Sequence, residues 1–269
     1  MTEHSRPAGQ PDVASYPGLG RVLVVVPTYN EVDNVREITA RVRHAVPEVE
    51  LLIADDNSPD GTGEIADELA AADPQVTVLH RPGKQGLGAA YVAGFRWAAE
   101  QGYDVVIEMD ADGSHAPEEL PRLLDGLGEA DLVIGSRWTT GGTVVNWPWY
   151  RLLLSRGANV YTRLALGMPV RDATGGYRAY RMAVLDKLDL DAVASAGYCF
   201  QVDLTWRAYR LGARITEVPI RFTERQRGRS KMSSSVVREA LWRVTVWGVG
   251  ARWAAVRRRF SGRRHPGTG

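Results

Sequence analysis

Two carboxylates separated by one small residue, Asp110-Ala111-Asp112, close a short and mostly apolar run, Val105-Val106-Ile107-Glu108-Met109. Residues two apart in an extended segment point the same way, so Asp110 and Asp112 can share one diphosphate-bound metal. The alternative is an acidic turn capping a helix that starts at Pro117. Further acids follow apolar runs in the same manner: Glu31 after Val22–Val26, and Asp56 after Leu51–Ala54. Carboxylates gathered on one edge repel unless a cation sits among them, and independent caps are the other reading. No histidine relay accompanies them. His80 and His115 fit no acid–base chain, and His115 reads as a helix-entry residue.

Such a set needs strands to carry it to one edge. Val22–Val26 is rich in β-branched residues and reads as a fully buried strand, closed by Pro27-Thr28-Tyr29-Asn30-Glu31. A helical pattern covers 32–46, and a second strand, 51–54, runs into Asp55-Asp56-Asn57-Ser58-Pro59-Asp60-Gly61-Thr62, with Gly61 available for positive φ. Helix 65–72, strand 76–79, helix 86–100 and strand 105–109 follow. Strand and helix alternate throughout, which predicts an α/β fold: a mostly parallel nucleotide-binding-type sheet flanked by helices, with right-handed crossovers. Ligands of such sheets gather at the carboxyl ends of the strands, where the acids stand. Two phosphate-loop motifs are excluded. Gly83-Lys84-Gln85 lacks the Ser/Thr and upstream glycine of a P-loop, and Gly86-Leu87-Gly88 lacks the third glycine of the dinucleotide fingerprint.

Composition is that of an ordinary globular chain: 269 residues, 44% hydrophobic and 24% charged. The single Cys199 excludes an internal disulfide and suits a reducing compartment. No apolar run approaches bilayer-spanning length and the amino end lacks a signal-peptide core, so the expected location is cytoplasmic. The net charge of +1 hides an asymmetry. From Arg221 to Arg264 there are 13 Lys/Arg against Glu224 and Glu239, or +11, which leaves −10 for the remainder. A strongly basic end suggests an anionic partner such as phosphate, nucleic acid or a membrane surface. Within it, Trp242, Val246, Val249, Trp253, Val256 and Phe260 form one apolar stripe, and Val236, Ala240, Val244 and Trp247 a second. One stripe can pack on the body while the other, Trp-rich and flanked by Arg, suits a membrane interface. Gly248 and Gly250 weaken this helix or bend it. The expected organisation is a lead-in over 1–20, a catalytic domain over 21–232, a basic amphipathic helical appendage over 233–260, and a basic tail over 261–269.

The motifs Pro27-Thr28-Tyr29-Asn30-Glu31, Asp55–Thr62, Asp110-Ala111-Asp112 and Gly135-Ser136-Arg137 occur in this order, each at a strand end. Jointly they resemble the family 2 inverting glycosyltransferases of A-type fold, and among them the polyprenyl (dolichyl) phosphate mannose synthases of actinobacterial type. Asn146-Trp147-Pro148, Arg151, Ser155–Asn159, Asp172–Arg178 and Ser230-Lys231 extend the likeness, which runs from about Val22 to Met232. The resemblance implies that Pro27, Tyr29, Glu31, Ala54 and Asp56 hold the guanosine of GDP-mannose. It implies that Asp110, Ala111 and Asp112 hold the diphosphate through Mg²⁺ or Mn²⁺, with Asp112 the direct ligand and Ser114 a helper. Ser114 stands where some members have Gln. Arg137, Arg151 and Ser155 take the acceptor phosphate, and Arg225 and Lys231 bracket a lid over the diphosphate. Arg151 and Ser155, four residues apart, share a helix face if 149 onward is helical. The implied partners are GDP-mannose, a polyprenyl monophosphate and the inner face of the cell membrane, reached directly or through an anchoring membrane protein, with no nucleic acid. A polyprenyl-phosphate glucosyltransferase using UDP-glucose is the rival activity, and a non-catalytic nucleotide-sugar-binding subunit the rival class.

Overall fold

The computed structural model describes residues 15–193, 197–224, 241–250 and 252–253. The strands are β1 (Val22–Thr28), β2 (Glu50–Asp55), β3 (Val76–His80), β4 (Val105–Glu108), β5 (Leu132–Ser136), β6 (Thr143–Val145), β7 (Arg178–Arg181), β8 (Ile215–Pro219) and β9 (Arg221–Thr223). The helices are α1 (Val35–Ala45), α2 (Thr62–Ala72), α3 (Leu87–Glu100), α4 (Leu120–Gly126), α5 (Trp149–Leu166), α6 (Met182–Leu185) and α7 (Gly197–Arg210). Seven strands form one sheet in the order β3-β2-β1-β4-β7-β5-β8, and β6 and β9 form a small parallel pair.

β1 explains why its sequence is an unbroken apolar run. Val22, Val24 and Val26 enter the layer that contains Val35, Ile38 and Val42 of α1 and Leu120, Leu123 and Leu124 of α4. Leu23 and Val25 enter the opposite layer, with Tyr91 and Phe95 of α3 and Phe200 and Leu204 of α7. Both faces are covered, so alternation of side chains produces no polar stripe. α3 lies so close to β1 that a Cβ on Gly94 would come within 2.6 Å of Val25 Cγ1.

The sheet is mostly parallel, as expected, with one exception that the sequence reading did not place. β7 runs antiparallel to both β4 and β5. The chain enters it from a loop, 172–177, that already lies at the carboxyl ends of the parallel strands, so it can only run back against them. The consequence is functional, because the start of β7, rather than its end, is delivered to the ligand edge. Strand order reverses between β1 and β4, and that switch point is where a crevice opens. Element ends shift by a few residues from the sequence expectation. α1 starts after a turn in which Val35 N donates to Glu31 O (2.9 Å). Gly61 adopts φ 90° and starts α2 three residues early, at Thr62.

Residues 241–250 are helical and lie on α5 and α7. Val244 is buried, Trp247 stacks on Trp206 of α7 (5.7 Å between centroids), and Thr245 Oγ1 meets Tyr161 Oη of α5 at 2.6 Å. Gly248 is not a bend. A Cβ there would sit 2.5 Å from Ala165 O, so the glycine is what allows the two helices to touch. Trp242, Val246, Val249 and Trp253 face outward, as do Trp149, Tyr150, Leu153 and Leu154 at the start of α5. Most of the expected appendage over 233–260 lies outside the described residues. No helix among the described residues is long and apolar enough to cross a membrane.

Candidate active site

A cavity of about 370 Å³ opens at the switch point, lined by Pro27, Tyr29, Glu31, Asp56, Asp110, Ala111, Asp112, Ser114, Arg137 and Arg151 among others. Most of the residues singled out in the sequence therefore meet in one place. Ala54 does not. It is fully buried in β2, paired in register beside Pro27, which does line the cavity. Ser155 also lies outside the lining, one turn along α5 from Arg151, where its carbonyl accepts from Asn159 Nδ2 (3.0 Å). Arg225 and Lys231 fall outside the described residues.

At the β1 and β2 ends the acid-rich loop divides its labour. Asp55 accepts from Thr28 Oγ1 (2.8 Å), Ser58 N (2.9 Å) and Ser58 Oγ (2.6 Å), and Asp60 accepts from Thr62 N (3.1 Å) and Val32 N (3.2 Å). Both are spent on turning the chain. Asp56 alone of the three faces the cavity, and it is ion-paired with the buried Arg81. Burial pushes the Asp56 carboxyl up from its ordinary value, against the pull of Arg81. Its charge is thus balanced by a protein cation. Glu31 accepts from Asn34 Nδ2 (2.7 Å), and Lys84 Nζ sits 4.0 Å from the Tyr29 ring centroid. Arg81 and Lys84 carry no motif signature, and only the fold brings them beside Asp56 and Tyr29.

At the β4 end, Asp110 Oδ1 accepts from Tyr91 Oη (3.0 Å), and Asp112 Oδ1 accepts from Ser114 N (3.0 Å) across Gly113, whose φ is 75°. Among the described residues there is no ready-made cage of three or more His, Cys, Asp or Glu side chains. Asp112, Ser114 and Asp110 nevertheless offer hard oxygen donors of the kind that Mg²⁺ and Mn²⁺ prefer, with the shell completed by phosphate and water. His115 does stand at a helix entry, two residues before the helical turn that starts at Pro117, but it is also part of the site. It is buried against Tyr177 (4.9 Å, stacked), and its Nδ1 accepts from Asp110 N (3.0 Å). Burial holds its pKa below the ordinary value, against the pull of Asp110 and Asp112.

The opposite wall is cationic and aromatic. Arg137 donates from Nε to Asp172 Oδ2 (2.8 Å) and from a terminal nitrogen to Asp172 Oδ1 (2.7 Å) and Thr174 Oγ1 (2.9 Å). Asp172 also accepts from Arg137 N (2.9 Å), so side chain and backbone of Arg137 are fixed by one carboxylate. Burial alone would raise the Asp172 pKa, but the Arg137 charge and its hydrogen bonds win and hold it below the ordinary range. Arg151 stacks 4.1 Å from the Trp147 ring centroid and pairs with Glu224, while Arg137 lies 5.5 Å from the same ring. Trp147 and Glu224 flank the β6–β9 pair, which Glu224 N extends by donating to Val145 O (3.1 Å). Beneath the loop, fully buried Arg178 pins Ala173 O and Gly175 O at 2.7 Å each. The first strand pattern and the D-x-D motif locate the acidic wall, whereas the Trp147, Thr174, Gln201 and Phe222 lining has no periodic signal.

A cavity with acids on one wall and arginines on the other opens at the switch point of a mostly parallel sheet, the fold of an A-type glycosyltransferase. Residues 23–189 match Glycosyl transferase family 2, and the chain belongs to that family. It is 58% identical over 252 residues to a polyprenol monophosphomannose synthase of Mycolicibacterium smegmatis, covering 93% of this chain and 95% of that one. It is 57% identical over 240 residues to an undecaprenyl-phosphate mannosyltransferase of Micrococcus luteus, covering 89% and 99%. Among solved structures, glucosyl-3-phosphoglycerate synthase of Mycobacterium tuberculosis in complex with Mn²⁺, UDP and glucosyl-3-phosphoglycerate shares the fold. The TM-score is 0.60 at 21% identity, over 92% of this chain and 85% of that chain.

Proposed function

We propose that the chain transfers mannose from GDP-mannose to the phosphate of a polyprenyl monophosphate, with inversion at the anomeric carbon. The observation that carries this reading is the single cavity in which the Asp110–Asp112 edge faces Arg137 and Arg151. One wall suits an activated sugar diphosphate and the other an incoming phosphate. The names of the two bacterial relatives supply the sugar and the lipid.

Pro27, Tyr29, Glu31 and Asp56 hold the nucleoside, a carboxylate accepting from base edge or ribose and Tyr29 stacking. Arg81 and Lys84 steady Asp56 and Tyr29. Asp112 and Ser114, with Asp110 beside them, would hold Mg²⁺ or Mn²⁺, which when bound neutralises charge on the departing diphosphate. Arg137, fixed by Asp172, and Arg151 orient the acceptor phosphate, with Ser155 one turn behind. A phosphate oxygen forms the new bond to the anomeric carbon as the bond to the GDP oxygen breaks, leaving a β-linked lipid phosphate. A phosphomonoester has its second pKa near ~6, so the acceptor is mostly a dianion at neutral pH and needs no general base. Arg225 and Lys231 are assigned to a loop that closes over the diphosphate and excludes water.

The lipid is reached at the inner face of the cell membrane. The outward residues of α5 and of the carboxyl-terminal helix, Trp149, Leu153, Trp242 and Trp253 among them, suit insertion at an interface, and the Arg-rich end suits an anionic leaflet. A membrane protein gripping the same stripe is the alternative anchor. Labelled-sugar transfer to a short polyprenyl phosphate tests the reading. GDP-mannose should serve and UDP-glucose should not. The reverse preference would replace mannose by glucose, and no transfer from either would leave a binding subunit.

A further inference from the structure

His115 has a second nitrogen that the proposed reaction does not use. The ring is fixed on every side but one. Tyr177 stacks on it at 4.9 Å, Phe222 meets it edge-on at 5.7 Å, and Nδ1 accepts from Asp110 N at 3.0 Å. An imidazole that accepts at Nδ1 carries its proton on Nε2, so the ring is a fixed Nε2–H donor. That bond at Nδ1 is the ring's one hydrogen bond among the described residues, although the side chain is 2% exposed. His115 lines the cavity.

Beside the ring, Gly176 has no side chain to occupy the space that His115 and Asp110 border. A Cβ on Gly176 would lie 3.3 Å from His115 Cε1, 3.8 Å from His115 Nε2 and 3.9 Å from Asp110 Oδ2. A donor and a carboxylate acceptor therefore border one space. An unprotonated phosphate oxygen can accept from Nε2–H but has no proton to donate to the Asp110 oxygen. A hydroxyl satisfies both, since it accepts from one and donates to the other.

We propose that His115 Nε2–H and Asp110 Oδ2, across the gap left by Gly176, hydrogen-bond one hydroxyl of the transferred sugar, making His115 a specificity-determining residue for the donor. The inference rests on the mannosyl-transfer reading and adds to it the sugar contact. A buried donor left unsatisfied by the wrong sugar discriminates strongly, because its desolvation is then uncompensated.

The test pairs two variants with five donors. His115→Asn can keep the acceptor for Asp110 N but lacks the distal donor, whereas His115→Gln can place an amide N–H where Nε2–H was. Turnover is measured with GDP-mannose and with its 2-, 3-, 4- and 6-deoxy analogues against a short polyprenyl phosphate. The wild type should lose roughly 10- to 100-fold in kcat/KM on one deoxy analogue in particular. His115→Asn should be weak on GDP-mannose but lose nothing further on that analogue, and His115→Gln should restore part of the difference. An active His115→Asn that keeps the wild-type deoxy profile overturns the contact, as does a uniform fall on every donor in both variants. A wild type inactive on GDP-mannose would defeat the mannose reading, and the contact with it.

Discussion

Removing the carboxylate behind Arg137 is the perturbation with the largest effect that the structure dictates. The Arg137 side chain is 6% exposed and that of Asp172 0%. Asp172→Asn keeps the shape but takes from a buried guanidinium the carboxylate charge at its Nε and terminal nitrogen. Breaking a buried pair in this way costs about 3–5 kcal/mol, a large part of the ~5–15 kcal/mol that holds a domain together. The expected fall in Tm is roughly 10 °C. Arg137→Met should cost a similar amount by orphaning Asp172. The double variant Arg137→Met/Asp172→Asn should lose clearly less than the sum, since neither buried charge remains, yet stay inactive for want of Arg137. Urea unfolding followed by tryptophan fluorescence gives the three values. The pH dependence has a definite sign. Asp172 is held below its ordinary pKa, so its contribution is full above about pH 4 and is lost as pH falls through the depressed value. The Asp172→Asn variant should therefore lack part of the wild type's acid-side slope. Strict additivity in the cycle, or a cost under about 1 kcal/mol for Asp172→Asn, would refute the assigned role of the pair.

Other perturbations test the two walls and the strand between them. Asp112→Asn should abolish transfer at saturating Mg²⁺ or Mn²⁺ while the circular dichroism spectrum and Tm stay those of wild type; near-normal turnover would remove Asp112 from the diphosphate site. Arg151→Ala should raise the acceptor KM at least tenfold and leave calorimetric GDP affinity within about twofold, the loss of one charge-assisted phosphate contact; lost donor affinity with an unchanged acceptor KM would reverse the assignment. Glu108 is fully buried in β4, and burial pushes it up to about 8 against the pull of Arg178 and Gln201. The folded state thus holds the proton more tightly, and this contribution, full below about pH 4.5, is lost as pH rises toward 8. Glu108→Gln should be more stable than wild type at pH 8 by up to ~4 kcal/mol and flatter between pH 5 and 8; identical pH profiles would contradict it.

The parts of this molecule written in the sequence are those with a period or a fixed neighbourhood. Val22–Val26 is apolar without alternation because both faces of β1 are covered, and that run reads directly as a central strand. Glu31, Asp56, Asp110 and Asp112 follow such runs, so the acidic wall can be assembled before any coordinates exist. β7 is different. Arg178-Ala179-Tyr180-Arg181 buries an arginine on hydrogen bonds to loop carbonyls, and nothing in that polar-looking tetrapeptide announces a central antiparallel strand. Arg81 meets Asp56 over 25 residues of chain and Asp172 meets Arg137 over 35, partnerships that only the sheet order creates. His115 shows the same gap in smaller compass. Its position after the D-x-D motif fits a helix entry equally well, and only the Tyr177 stack and the Asp110 bond turn the ring into the site. Gly248 reads as a weak point in a helix because the close carbonyl of Ala165 belongs to another element.

The proposed chemistry is a single displacement by the acceptor phosphate, with no enzyme nucleophile and no general base. Its most direct test is the anomeric configuration of the product made from α-linked GDP-mannose and a short polyprenyl phosphate. The one-bond C1–H1 coupling, read by NMR on the isolated lipid phosphate, distinguishes the two outcomes. A β-linked mannosyl phosphate is the result that the Asp110–Asp112 edge facing Arg137 and Arg151 predicts. An α-linked product would require a second displacement or a same-face attack, and would contradict the account.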